Sequence, residues 1–229
     1  MQADMPVAHK KYLDRRDAGR QLAPLLAKWK ATGAVVFALP RGGVPVAIEV
    51  AKALGAPLDL LYVRKIGAPL EPELALGAVV DGADPDIVFN EALIERLGVS
   101  REVLDEITFR ELKEIERRRR QYRAGSVPLM PTGRPAIVVD DGLATGATVR
   151  AAVKALRRRG ATRVVVAVPV APPRAVADLE ADGAEVVCPL VTDEFFGVGA
   201  FFRDFRQLSD ADVNAALDEI RRDEARVMD

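Results

Sequence analysis

Two adjacent acids, Asp140 and Asp141, close an apolar run, Ala136-Ile137-Val138-Val139, and precede Gly142-Leu143-Ala144-Thr145-Gly146-Ala147-Thr148. Apolar positions at helical spacing follow at Val149, Ala152, Val153 and Leu156. A buried strand thus delivers two carboxylates to a small-residue loop that opens a helix. Backbone N–H groups at a helix start are free, and the positive end of the helix dipole favours an anion there. Gly146 and Ala147 permit close approach to the backbone, and Thr145 and Thr148 add hydroxyl donors. A phosphate monoester fits. Two carboxylates beside it would repel a second phosphate but suit hydroxyls, a cation or developing positive charge. A sugar phosphate meets both demands.

Other phosphate motifs fit less well. An ATP-type loop needs Gly-Lys-Ser/Thr, and no lysine lies in 142–148. Neither Gly42-Gly43 nor Gly142/Gly146 supplies the Gly-x-Gly-x-x-Gly dinucleotide fingerprint. The plain alternative is a tight strand-to-helix turn with an acidic cap, which leaves the Thr-Gly-Ala-Thr run unexplained.

The positioning elements repeat as strand, turn, helix. An apolar run at 35–39 is followed by Pro40-Arg41-Gly42-Gly43 and a helical pattern at Val44, Ala47, Ile48, Ala51 and Leu54, with Gly55 at its C-cap. A second strand is expected over 58–63, placing Arg64 and Lys65 at its end. Further strands are expected at 136–139, 164–168 and 185–188, and a short helix at 174–181. This alternation predicts an α/β fold, a mostly parallel twisted sheet with helices on both faces. Ligands of such sheets gather beyond the strands' carboxyl ends, where the turns 40–43, 64–69 and 140–148 lie. The runs 76–80 and 87–89 flank Asp81-Gly82 and predict a hairpin or two edge strands. A long helix is expected over 100–122, with Leu104, Ile107, Leu112 and Ile115 inward and Glu106/Arg110, Glu114/Arg118 and Glu116/Arg120 paired. The run 117–120 reads as a solvated face.

The chain has 229 residues, 49% hydrophobic and 29% charged, with 33 Lys plus Arg against 34 Asp plus Glu. That balance gives no general attraction to nucleic acid or anionic membranes. One cysteine, Cys188, excludes an internal disulfide framework and a cysteine-built metal site. No apolar stretch approaches the roughly 20 residues of a spanning helix, and 1–20 lacks the apolar core of a signal peptide. A soluble, cytoplasmic protein is expected. His9, the single histidine, lies near the terminus and is a poor base or ligand.

Residues 136–148 resemble the signature of the type I phosphoribosyltransferases: four apolar residues, two acids and a Thr-Gly-x-Thr loop. The strand order and the turns at 40–43 and 64–65 extend the likeness over most of the chain, and the flanks resemble a bacterial subgroup with no acceptor that can be named. The resemblance implies a magnesium-dependent transfer of the phosphoribosyl group from 5-phosphoribosyl 1-pyrophosphate (PRPP) to a nitrogen acceptor, usually a nucleobase. It implies that Asp140 and Asp141 hold the ribose hydroxyls and, through them or water, Mg2+. It gives the 5′-phosphate to Ala144, Thr145, Gly146, Ala147 and Thr148, and the pyrophosphate to Arg41, Gly42 and Gly43, with Arg64 and Lys65 gripping the leaving group. Basic groups there also make sense alone, because a departing pyrophosphate gains charge that Arg forks and Lys point charges can meet.

Five of eight phenylalanines fall in 192–207. They predict a small C-terminal hood, in which Phe195 or Phe196 either stacks on an acceptor ring or packs the hood onto the core. No hood motif specifies a base. Segment 67–77, with Glu71 and Glu73, is either a closing flap or a plain connection, and Tyr122-Arg123 could approach the phosphates. Ser209 with Asp212 predicts a helix cap, and a final helix to about residue 226. Without repeats or a clear linker, one domain is expected over 1–229, with a core at about 34–188, a helical insertion at about 91–123 and the hood and last helix at about 189–229. Members of the family are often dimers, so a homodimer is expected. The rival readings are a PRPP or nucleotide sensor on the same fold and a metal-dependent phosphatase or nucleotidase.

Overall fold

The computed structural model describes residues 11–71, 74–81, 85–122 and 128–228. His9, Glu73, Gly82 and Arg123 lie outside the described residues. Five strands, β1 (Val35–Ala38), β2 (Leu58–Leu60), β6 (Pro135–Val139), β7 (Arg163–Ala167) and β9 (Glu185–Val187), form one sheet in the order β2-β1-β6-β7-β9. Every neighbouring pair in it is parallel. Side chains alternate across a strand. Val36, Ala38, Ile137, Val139, Val165 and Ala167 therefore enter one core, under α1 (Arg15–Leu22), α2 (Gly43–Leu54) and α7 (Asp210–Met228). Phe37, Val138 and Val166 enter the other, under α5 (Ala147–Arg158) and α6 (Pro173–Ala181). Both faces of the central strands β1, β6 and β7 are covered, which is why these runs read as unbroken apolar stretches. The stripe expected on α5 is buried: Val149, Ala152, Val153 and Leu156 are each 1% exposed or less.

The expected strand 58–63 is two strands in two sheets. The Leu61 amide donates to the Ala38 carbonyl at 3.0 Å, ending the parallel ladder, and the Tyr62 carbonyl accepts from the Asp81 amide at 2.8 Å, beginning another. Leu61 and Tyr62 are both buried, so hydrophobicity does not mark the corner between them. Beyond it, β3 (Val63–Gly67), β4 (Ala75–Val80) and β5 (Asp86–Phe89) form an antiparallel sheet. Arg64 and Lys65 thus lie inside β3 and not at the end of a core strand.

The helical insertion is two helices. Asn90 caps α3 (Glu91–Leu97) by accepting from the Leu93 amide at 3.2 Å, and Gly98 ends it in the left-handed region. Then α4 (Arg101–Tyr122) follows, with Leu104 and Ile115 buried and Ile107 and Leu112 partly so. All three expected pairs form: Glu106–Arg110 at 3.7 Å, Glu114–Arg118 at 2.8 Å, and Glu116–Arg120. Arg119 turns inward to buried Asp81 at 3.4 Å.

At the C-terminal end, β8 (Val170–Ala171) pairs in parallel with β10 (Leu190–Val191). Tyr12, Phe201 and Phe202 form a third core with Phe195 and Phe205 against it. Ser209 and Asp212 cap α7 reciprocally, through Asp212 N–H to Ser209 Oγ at 3.1 Å and Ser209 N–H to Asp212 Oδ2 at 2.8 Å. Helix α1 crosses α2 closely at Gly19, where an added Cβ would stand 2.6 Å from the Val46 carbonyl oxygen. No helix of the described residues is long and apolar enough to cross a membrane.

Candidate active site

Strand β1 leads through α2 to β2 on one side, whereas β6 leads through α5 to β7 on the other. The order reverses between β1 and β6, and the crevice opens beyond their carboxyl ends. The turns 39–42 and 140–146 meet there, joined by the Leu39 amide on the Val139 carbonyl at 3.0 Å. Their contact dictates the glycines. A Cβ on Gly43 would lie 2.5 Å from the Val139 carbonyl oxygen, and one on Gly42 would lie 2.1 Å from Asp141 Oδ2.

The acids occupy the floor of this crevice. The Asp141 amide donates to Asp140 Oδ1 at 2.9 Å. Burial, and then the neighbouring Asp141, push the Asp140 carboxyl well above the usual carboxylate range. Burial also raises Asp141, against the pull of Arg15, whose Nε donates to Asp141 Oδ2 at 2.8 Å. Beyond the acids, Gly142 lies against Val198, which a Cβ would approach to 2.6 Å. Gly146, at φ +70, is the N-cap of α5 and offers no side-chain cap. None of the amides of 144–148 donates to a partner among the described residues. Five successive donors beside two carboxylates can hold a phosphate at one end and hydroxyls at the other.

The basic groups fall in two places. Arg41 borders the crevice, 3.7 Å from Asp210 at the start of α7. Asp210 also accepts the Tyr122 hydroxyl, so Tyr122 is tied to α7. Arg64 and Lys65 line a cavity of about 450 Å³ together with Thr148 in the first turn of α5 and Glu111 of α4. Arg64 Nε donates to Glu111 Oε2 at 2.6 Å. The hood phenylalanines divide: Phe195 packs on Phe201 with ring centroids 5.7 Å apart, whereas Phe196 is 70% exposed. Neither has a described contact with the acids. Cys188 is half-buried, its thiol pushed up to about 11 chiefly by burial.

Sequence reasoning missed Arg15, Asp210 and Glu111. Each sits in a charged helical stretch that reads as surface, and each reaches the site only by long-range packing. Magnesium binds through one or two carboxylates together with substrate oxygens and water. Asp140 and Asp141, a hard-oxygen pair in a crevice, fit that donor set. No cluster of three or more acidic, His or Cys ligands exists among the described residues.

A match to the phosphoribosyl transferase domain spans residues 87–201, half of the chain. The chain belongs to this family, and its parallel core with covering helices is the type I phosphoribosyltransferase fold. Two Mycobacterium tuberculosis proteins, each named "putative phosphoribosyl transferase", are 47% identical to it over 210 residues, covering 92% of this chain and 47% of theirs. The chain spans about half the length of these curated relatives. The crystal structure of TT1426 from Thermus thermophilus superposes with a TM-score of 0.80 at 43% identity, covering 91% of this chain and 98% of that one. A Neisseria gonorrhoeae hypothetical protein, solved with bound ppGpp, shares the fold at a TM-score of 0.50 and 15% identity, over 92% and 97% of the two chains.

Proposed function

We propose that this chain transfers the phosphoribosyl group of PRPP to a small nitrogen nucleophile, probed first among the nucleobases. The observation that carries this reading is the row of unpartnered amides at 144–148 beside Asp140 and Asp141 at the β1–β6 crevice, in a chain of the phosphoribosyltransferase family. The 5′-phosphate would take the amides and the hydroxyls of Thr145 and Thr148. The ribose hydroxyls would take the two acids. Arg41, with the Gly42 and Gly43 backbone, would face the pyrophosphate, and Lys65 and Arg64 would approach it from β3.

The chemistry follows from that placement. As the bond from the anomeric carbon to pyrophosphate lengthens, the ribose gains oxocarbenium character and the leaving group gains negative charge. The acids stabilise the first, and Arg41 and Lys65 the second. The nitrogen's lone pair forms the new bond to the anomeric carbon as pyrophosphate departs with the bonding electrons. No covalent enzyme intermediate is needed. Asp140 and Asp141 would hold magnesium, through water or the ribose hydroxyls, and the bound ion would supply further neutralisation of the pyrophosphate. Phe196, the exposed ring of the hood, would offer a face to a planar acceptor.

Incubation with PRPP, magnesium and a panel of nucleobases and other amines should release pyrophosphate with at least one acceptor. Tight PRPP binding with no turnover would favour a sensor, and release of inorganic phosphate would favour a phosphatase.

A further inference from the structure

Arg15 is the buried cation closest to this chemistry. It is 8% exposed, on the first turn of α1, far in sequence from both glycine turns. Its guanidinium makes three unlike contacts. Nε donates to Asp141 Oδ2 at 2.8 Å, NH1 donates to the Arg206 carbonyl at 3.0 Å, and the Phe205 ring lies 3.9 Å from Cζ. Only a planar fork can meet a carboxylate and a carbonyl in its plane while stacking on a ring with its face. A lysine would keep the charge but lose that geometry.

The consequence falls on one oxygen. Asp141 Oδ2 is pressed against Gly42, and the same atom takes the Arg15 hydrogen bond. Oδ1 takes no side-chain hydrogen bond from another of the described residues and stands farther from Gly42 than Oδ2, which leaves it the freer oxygen for a ligand. A carboxylate on a short stem otherwise rotates freely about its last bond. Arg15 and Gly42 together stop that rotation.

Resting on the proposed assignment of the ribose to the acids, we propose that Arg15 is a positioning residue. Clamped by Phe205 and the Arg206 carbonyl, it fixes the Asp141 carboxylate so that Oδ1 meets a ribose hydroxyl already oriented. It touches no substrate itself. The clamp also makes the N-terminal helix and segment 205–206 part of the sugar subsite.

The test separates sugar recognition from phosphate recognition. Wild type, Arg15→Lys, Arg15→Met and Phe205→Leu are titrated calorimetrically with inorganic phosphate and with ribose 5-phosphate, and their melting temperatures are recorded. Phosphate affinity should stay within twofold throughout. The advantage of ribose 5-phosphate over phosphate should fall at least tenfold in both Arg15 variants and several-fold in Phe205→Leu. A merely structural ion pair would lower the melting temperature and leave that ratio intact, or be restored by lysine; either result overturns the inference. Should Arg15→Met fail to fold, Arg15→Lys and Phe205→Leu decide the same ratio. A wild type with no preference for ribose 5-phosphate would instead overturn the assignment of ribose to the acids, leaving the two failures distinguishable.

Discussion

At the β1–β6 crevice the groups offered to a ligand are main-chain amides and two half-buried carboxylates, packed on glycines whose Cβ atoms would strike neighbouring atoms. Around β3, β4 and α4 the structure is held differently. Salt bridges such as Glu114–Arg118 and Arg64–Glu111 run along half-exposed faces, and the basic residues that reach toward the crevice are themselves paired. The first region derives its geometry from backbone packed too closely to admit a side chain at Gly42, Gly43 or Gly142. The second derives it from long side chains that can exchange partners. A phosphate pocket needs the former, because its donors must be in place before the ligand arrives. A grip on a leaving group can use the latter.

The sharpest way to break this contrast is Gly146→Val. A β-branched residue at φ +70 costs about 1–3 kcal/mol of strain, and its methyls crowd the amide row. Affinity for inorganic phosphate should fall by at least about tenfold. Normal phosphate binding in calorimetry would show that the loop is not backbone-built. Asp140→Asn should cut turnover by about a hundredfold while raising stability at neutral pH. The sign follows from the raised carboxyl: the folded state holds its proton more tightly than the unfolded chain, so stability declines as pH climbs through the folded value, and asparagine abolishes that decline. A lower melting temperature for this variant at pH 7 would contradict a charge strained by burial. The smallest effect belongs to the insertion. Arg117 first, and then Arg118, pull the Glu114 carboxyl down to about 2. Its contribution is therefore present above the ordinary carboxylate range and is lost as pH falls toward 2. Glu114→Gln should cost less than about 1 kcal/mol at pH 7, and nothing in acid, with phosphate affinity unchanged. A change in phosphate affinity would mean that the two regions are coupled.

The legibility of the sequence follows the same division. Strands β1 and β6, the turns after them and the apolar face of α5 were all readable, since buried parallel strands and an amphipathic helix leave strong periodic signals. The three pairs on α4 were readable because they are local. The corner at Leu61-Tyr62 was not, because two sheets share one apolar run. Arg15 was not, because a charged residue on a charged helix gives no sign that folding carries it beneath the aromatic hood. Phe205 reads as one hood aromatic among five, with nothing beside it in sequence to mark Arg15 as the cation it meets, and Tyr122 likewise reaches Asp210 of α7 only through folding.

Gly19 stands one helical turn beyond Arg15, at the point where α1 rests on the Val46 carbonyl. The spacing between two helical axes is therefore set by a missing methyl group. Alanine at that position would lift the rod carrying the guanidinium away from α2, so that, with Arg15 in its proposed role, a substitution remote from every reacting atom would lengthen the reach to the aspartate and present itself at the bench as a defect in handling sugar.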